Sequence, residues 1–589
     1  MAWDRHTSTT SVEGHIKIGT LEELKLRGCM GVTSRGYTIG VFYHNGEVYA
    51  VDNRCPHMGF PLDRGTVRDG ILTCHWHHAR FDLSSGATFD PFADDVRAFP
   101  VTVVDGEVWV NLSPPQRDPV RHCSTRLRDG LEHDIRLVIA KSVLGLQGAG
   151  ADYRVPLQIG ARFGLAYSAK GWGPAMSILT CVANILPQLA VEDRPRALYQ
   201  GLLHVSRESA GQSPRFLVAP LPTRETRPDV FKRWFRSFIE GRDDEGAERC
   251  LRTAIDLGLP PGTIADILFA AATDHVYLDA GHVLDFANKA FELLDHIGWE
   301  YAGQVLTSLV HGMARARRSQ ELNSWRHPVD IASRVWVARA ELPGLYKEGR
   351  RNRNGWQDQD ELVSVMLGDD PVATLEAIKE AIRTGAPWEA LGSAVAYAAF
   401  LRMARFHTSN EFGDWDTVHN TLTAANALHQ ALKRAPSIEL LRGVFDTAMS
   451  IYLDRFLNMP AQRIAEADHG TVDGESVRAE FLERLNVQQQ VEEAGQLVST
   501  YLAAGADPHG ILATLGHAML REDAGFHSFQ IVDASFKQYQ ARGGTEAGHH
   551  VLIGMARFLA AHSPTSRALG QTYHIALRLH RGEELYRDI

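Results

Sequence analysis

YTIGVFYHNGEVYAVDNRCPHMGFPLDRG, residues 37–65, and CHWHHARFDLSSG, residues 74–86, decide how the first part of this chain is read. The first opens with two runs of alternating polar and apolar side chains around Asn45-Gly46, the dipeptide of a tight hairpin, which predicts two antiparallel strands. VTVVDGEVWVNL, residues 101–112, repeats the design around Asp105-Gly106, so Gly14 to Leu112 reads as antiparallel β. Between the hairpins, two loops carry cysteine and histidine in the patterns CxH (Cys55, His57) and CxxH (Cys74, His77). Two thiolates and two imidazoles suit a tetrahedral zinc ion, and equally an iron–sulfur cluster in which histidine replaces cysteine on one iron.

The surrounding residues separate these alternatives, because CPHMGFPLDRG and CHWHHARFDLSSG in a β-rich setting closely resemble a Rieske ferredoxin domain. The resemblance implies an all-β domain over residues 1–115, with a [2Fe–2S] cluster held by Cys55, His57, Cys74 and His77. High-potential members of that family carry a further cysteine in each loop, joined as a disulfide. Here Phe60 and Trp76 occupy those places, and His78, Ala79 and Arg80 stand where hydroxyl donors follow the second loop. Fewer hydrogen bonds to the sulfurs stabilise the reduced cluster less, so the potential is expected near the low end of the range of about −150 to +300 mV, as in a ferredoxin-type donor. His78 itself departs from the Gly or Asn expected there.

At 589 residues the chain exceeds one core several-fold, and 44% hydrophobic against 22% charged residues is globular composition. The net charge of −10 supplies no basic face for a phosphate backbone, so no nucleic-acid partner is expected. Cys29, Cys123, Cys181 and Cys250 are isolated, as reduced thiols are, and MAWDRHTSTTSVEGH lacks the apolar core of a leader. A cytoplasmic protein without a membrane span is expected, and a homo-oligomer is compatible with the sequence. SPPQRDPVRHCSTR, Ser113 to Arg126, reads as proline-rich connection, which gives residues 116–130 as a linker and residues 131–589 as a separate all-helical domain.

In that second part apolar residues recur at three and four, and a motif repeats: LGLPPGTIADILFA, TGAPWEALGSAVAYAAF and AGADPHGILATLGHAML each open a helix with a Gly turn and Pro. HVLDFANKAF from His282, HNTLTAANAL from His419 and HSFQIVDASF from His527 align with one another. Stacked, degenerate helical repeats are the expected fold. Three equivalent helix starts would let His282, His419 and His527 converge as a second, mononuclear non-haem iron site. Lys289, two turns beyond His282 in an apolar stretch, suits a metal-bound carbamate, or else pairs with Asp285 or Glu292 on a solvated face. His275, His407 and His517 are reserve ligands, and Arg521, Glu522 and Asp523 read as a solvated charged turn.

The αβ catalytic domain of Rieske oxygenases is not expected, since Asp416-Thr417-Val418-His419 begins its DxxHxxxxH motif but Ala424 replaces the second histidine. AGHVLDFANKAFELL instead resembles the all-helical questin-oxidase-like family, which implies O₂-dependent oxidation of anthraquinone-type polyketides, in some members with iron held by several histidines and a carboxylated lysine. The expectation is therefore an oxidoreductase fed by an external reductase or ferredoxin, acting on O₂ and a small hydrophobic, aromatic or polyketide substrate. The rival is a Rieske electron-transfer module on a non-catalytic helical docking scaffold.

Overall fold

The computed structural model describes residues 14–113, 118–352, 356, 359–467, 473–583 and 585. Most of the amino-terminal stretch read for a leader, and residues 116 and 117 of the expected linker, lie outside them. The chain forms two compact units, residues 1–159 with 571–589, and residues 160–570.

Among the described residues of the first unit, ten short strands build three antiparallel sheets. They are β1 (His15–Thr20), β2 (Cys29–Ser34), β3 (Tyr37–His44), β4 (Glu47–Asp52), β5 (Thr66–Arg68), β6 (Ile71–Thr73), β7 (Arg80–Asp82), β8 (Ala98–Phe99), β9 (Val101–Val104) and β10 (Glu107–Asn111). The sheet orders are β1-β10-β9, β2-β3-β4-β8 and β5-β6-β7. Both predicted hairpins form: Asn45 and Gly46 take φ of 49° and 90°, Asp105 and Gly106 take 50° and 78°, the left-handed pair that matches strand twist. Because alternate residues of a strand point to opposite faces, β3 sends Ile39 and Val41 to one core and Phe42 to another. The second core also contains Val51, Leu62, Leu72 and Phe81 together with Cys55 and Cys74, so packing fixes the backbone at both ligand cysteines.

The expected linker is largely a helix, Pro119–Glu132, and a second helix, Arg136–Gly148, follows it in the same unit. Pro119 sits at the start of the first of these, where its missing N–H has no partner to lose, and the Asp118 carboxylate caps the amides of Val120 and Arg121. Proline here starts structure, whereas the sequence reading took it to interrupt structure.

In the second unit every regular element among the described residues is helical. The three Pro-led phrases form the helices Pro261–Ala272, Trp388–Ala404 and Pro508–Arg521, followed by His282–Ile297, Phe412–Arg434 and Phe526–Arg542. His282 and His527 lie at helix starts as expected, but His419 lies two turns inside its helix. A reciprocal cap between Glu411 and Asp414 starts that helix earlier, at Phe412. The helices His282–Ile297, Phe412–Arg434, Phe526–Arg542 and Glu546–Ala561 pack one on the next in that order. Among the described residues no helix is long and apolar enough to cross a membrane.

Candidate cluster site and candidate iron site

The two ligand loops are built alike. The Cys55 amide donates to the Phe60 carbonyl (2.8 Å) and the Gly59 amide to the Cys55 carbonyl (2.7 Å); Cys74 and Ala79 (2.9 Å), then His78 and Cys74 (3.0 Å), repeat this in the second loop. Gly59 and His78 are thus equivalent positions, both left-handed at φ 85° and 61°. That conformation accounts for the Gly or Asn expected at 78, which His tolerates better than most side chains.

Cys55 and Cys74 are buried, and the Cys55 thiol bonds to Cys74, which holds the Cys74 thiol down at about 6. The His57 and His77 rings meet edge to face, 4.8 Å between centroids. Sulfur thus lies beside sulfur and imidazole beside imidazole, an arrangement that suits a [2Fe–2S] cluster with two Cys on one iron and two His on the other. The donor chemistry fits in a second respect. Burial, with His77 and Lys141 nearby, lowers His57 to about 4, so its ring is neutral, and its Nδ1 is buried without a hydrogen-bond partner. His77 is exposed. Where high-potential relatives have a disulfide, Phe60 and Trp76 pack against each other at 5.9 Å, and Trp76 also covers His77 at 4.5 Å.

Two contacts on this site were not foreseen from sequence. Lys141, on the helix Arg136–Gly148, donates its ammonium to the carbonyls of Pro56 and His57, and burial lowers it to about 8. Arg126, on Pro119–Glu132, donates to the carbonyls of Pro91 and Ala93, flanking Phe92, whose ring packs on His57 at 5.1 Å.

In the helical unit His419 and His527 come together, ring centroids 4.8 Å apart, and burial, then the charge of His527, opposes the charging of His282. The structure adds two residues to the predicted three. The Asp416 carboxylate lies 2.9 Å from Nδ1 of His527 and 3.7 Å from Nε2 of His562. Although burial opposes it, these bonds hold Asp416 well below the usual carboxylate range. Asp416 and His419, three apart on one helix, share a face, so their proximity was legible in the sequence; His562 reaches the site only through tertiary packing. His419 is fully buried, and neither ring nitrogen reaches bonding geometry with a partner, the adjacent Asn420 side chain included. Such a group costs about 1–3 kcal/mol unless something pairs with it. As placed, Asp416 bonds to His527, and among the described residues no three His, Cys, Asp or Glu side chains face one point as metal ligands. The donors, imidazoles with one carboxylate, are those of a facial-triad iron site. A cavity of about 250 Å³ adjoins them, lined by Asp416, His527 and His562 and by Met519, Phe526 and Leu559.

The other predicted ligands are engaged elsewhere. His275 bonds to Glu240 and Gln320, His407 to Ser409, and His517 to Asp193 at 2.9 Å. Glu522 and Asp523, read as a solvated turn, instead tie down the segment Thr565–Leu569 through Thr565, Arg567 and its backbone amides. Lys289 is buried, its ammonium held between Asp533 and Glu292 (3.0 Å) in an ion network: the expected pairing with Glu292 forms, inside the helices and not on a solvated face. Removing it leaves two carboxylates buried with less compensation, and Lys289→Met is expected to cost about 3–5 kcal/mol in denaturant unfolding without changing the iron content. Loss of iron at unchanged stability would contradict this.

Asp285 borders the same network, and burial pushes its carboxyl up to about 7 despite the attraction of Lys289. A carboxyl raised by folding contributes stability at acid pH that is lost as pH rises through about 7, by at most about 1.4 kcal/mol per pH unit. Asp285→Asn, neutral throughout and still able to accept from Gln530, should therefore gain on wild type between pH 6 and 8 in urea midpoint. A pH-independent difference would refute the assignment.

The Rieske [2Fe-2S] domain family matches residues 15–100. The chain is 36% identical to the 3-phenylpropionate/cinnamic acid dioxygenase ferredoxin subunit of Photorhabdus laumondii, over 16% of this chain and 93% of that protein. It is 31% identical to the anthranilate 1,2-dioxygenase ferredoxin subunit of Burkholderia cepacia, over 18% and 98%. Among solved structures, the ferredoxin of carbazole 1,9a-dioxygenase from Nocardioides aromaticivorans is 29% identical over 17% of this chain and 98% of that one, with a TM-score of 0.16.

Proposed function

We propose, given that the chain belongs through residues 15–100 to the Rieske [2Fe–2S] family, that it is an O₂-dependent oxidoreductase whose helical part carries the reaction site. The ferredoxin subunits it resembles belong by name to dioxygenase systems, and electron transfer is the role of its Rieske domain. Cys55, His57, Cys74 and His77 would hold the cluster, which supplies one-electron transfer when bound. Asp416, His419 and His527, with His282 and His562 beside them, would hold a mononuclear iron that supplies O₂ activation. Around it Met519, Phe526 and Leu559 would bind the apolar face of a substrate, and His562 stands where a proton can be passed. A cavity of about 250 Å³ is below the roughly 300–1,000 Å³ of drug-sized sites but above the roughly 150 Å³ that admits benzene, which favours a one- or two-ring aromatic over a larger polyketide. The reaction would take place in the cytoplasm, with a separate reductase as electron donor.

The observation that carries this reading is that His527 contacts both the His419 ring and the Asp416 carboxylate beside a cavity, with neither ring nitrogen of the buried His419 in bonding geometry with a partner. Metal analysis with EPR on anaerobically purified protein tests it. About three irons per chain, one outside the Rieske signal, is the expected result; about two would favour the docking scaffold.

A further inference from the structure

The helices Pro119–Glu132 and Arg136–Gly148 lie beyond residues 15–100, the span that the family covers, yet side chains from both reach the cluster site. Lys141 makes the more direct approach. Its Nζ bonds to the backbone oxygens of Pro56 and of His57 (2.6 Å), so it grips the first ligand loop at a ligand residue. A proline at 56 leaves that stretch a donor short and its carbonyls seeking partners. Nearby, His122 bonds to Asp94 (2.9 Å) and Arg126 forms an ion pair with it (3.4 Å), which leaves that carboxylate engaged while the ammonium acts on the loop.

We propose that Lys141 is a positioning residue for the cluster: it fixes the Pro56–His57 backbone and sets a positive charge beside the place where an electron arrives. This rests only on the cluster assignment and is independent of the helical iron site. Reduction adds one negative charge, and a fixed cation in a partly dry site favours that state. The same grip offsets the missing disulfide, since the loop is held from an added helix in place of a covalent link to the other loop.

The test is a redox titration of the full chain, followed by visible spectroscopy and EPR, with iron and sulfide counted in each variant. Lys141→Met should shift the reduction equilibrium about tenfold towards the oxidised form, about 59 mV more negative for one electron. Lys141→Arg, which keeps donors and charge, should stay within about threefold of wild type. A fully loaded Met variant within twofold of wild type overturns the proposal. If Met fails to load, Lys141→Gln, which can still donate to the carbonyls, reads the charge alone. A loaded Gln variant shifted as Met was expected to be supports the proposal, and one within twofold overturns it. Loss of cluster in Met and Gln with recovery in Arg supports it, and loss in all three overturns it, since the position would then be intolerant for packing reasons alone.

Discussion

Cys55→Ser should leave the protein without its Rieske absorption and EPR signal and remove about two irons per chain. The sulfur is buried in the core that also holds Cys74, and its amide and carbonyl are tied into the loop by Phe60 and Gly59; Cys29, the other thiol packed against that core, donates to the Asp63 carbonyl. His57→Ala should do the same, because its loop contains no second imidazole. In the other loop His75 is bonded to Thr66 at 3.3 Å, and His77→Ala is expected to lose the cluster too. A signal surviving Cys55→Ser would reject the ligand assignment, whatever the helical part does.

The second large effect concerns the helical unit. His419→Ala and Asp416→Asn should each remove the iron outside the cluster, taking about three irons per chain to about two, while leaving the Rieske spectrum as it was. His527→Ala should match them, and His282→Ala, whose ring lies among Phe286 and Phe526 at 5.7 and 5.8 Å, should have the smaller effect. Retention of the extra iron in the His419, His527 and Asp416 variants alike would reduce these helices to packed repeats and leave the docking scaffold as the better account.

What was legible in the sequence follows from the range of each interaction. Asn45-Gly46, Asp105-Gly106 and the CxH and CxxH loops declare themselves within a few residues, and the fold of the first unit follows from them. The expectation that His282, His419 and His527 lie near one another came from aligned repeats, a medium-range signal, which erred on where the middle helix begins because the Glu411–Asp414 cap lies outside the repeated motif. Pro119 was misread because the same residue ends one element and begins another. Lys141 and His562 could not have been found, since Lys141 is 84 residues from the His57 carbonyl it holds and His562 lies far along the chain from Asp416. Lys289 was singled out for good reason, an ammonium in an apolar helix, and only the fold reveals that Asp533 answers it.

That answer bears on how the chain assembles. Helices descended from one motif present similar apolar ridges, and a stack that joins the wrong neighbours would bury nearly as much oil as the right one. Lys289–Glu292 and Lys537–Asp533 pair within one helix each, but Lys289 reaches Asp533 and Lys537 reaches Glu292 only when the helix of residues 282–297 and that of 526–542 come within side-chain reach of each other. Any other order forfeits both cross-helix bridges and buries each ammonium with one carboxylate in place of two, a cost in a dry interior. The ion cluster thus proofreads assembly: look-alike segments can collapse in many orders, and charge selects the one in which the histidines are brought together.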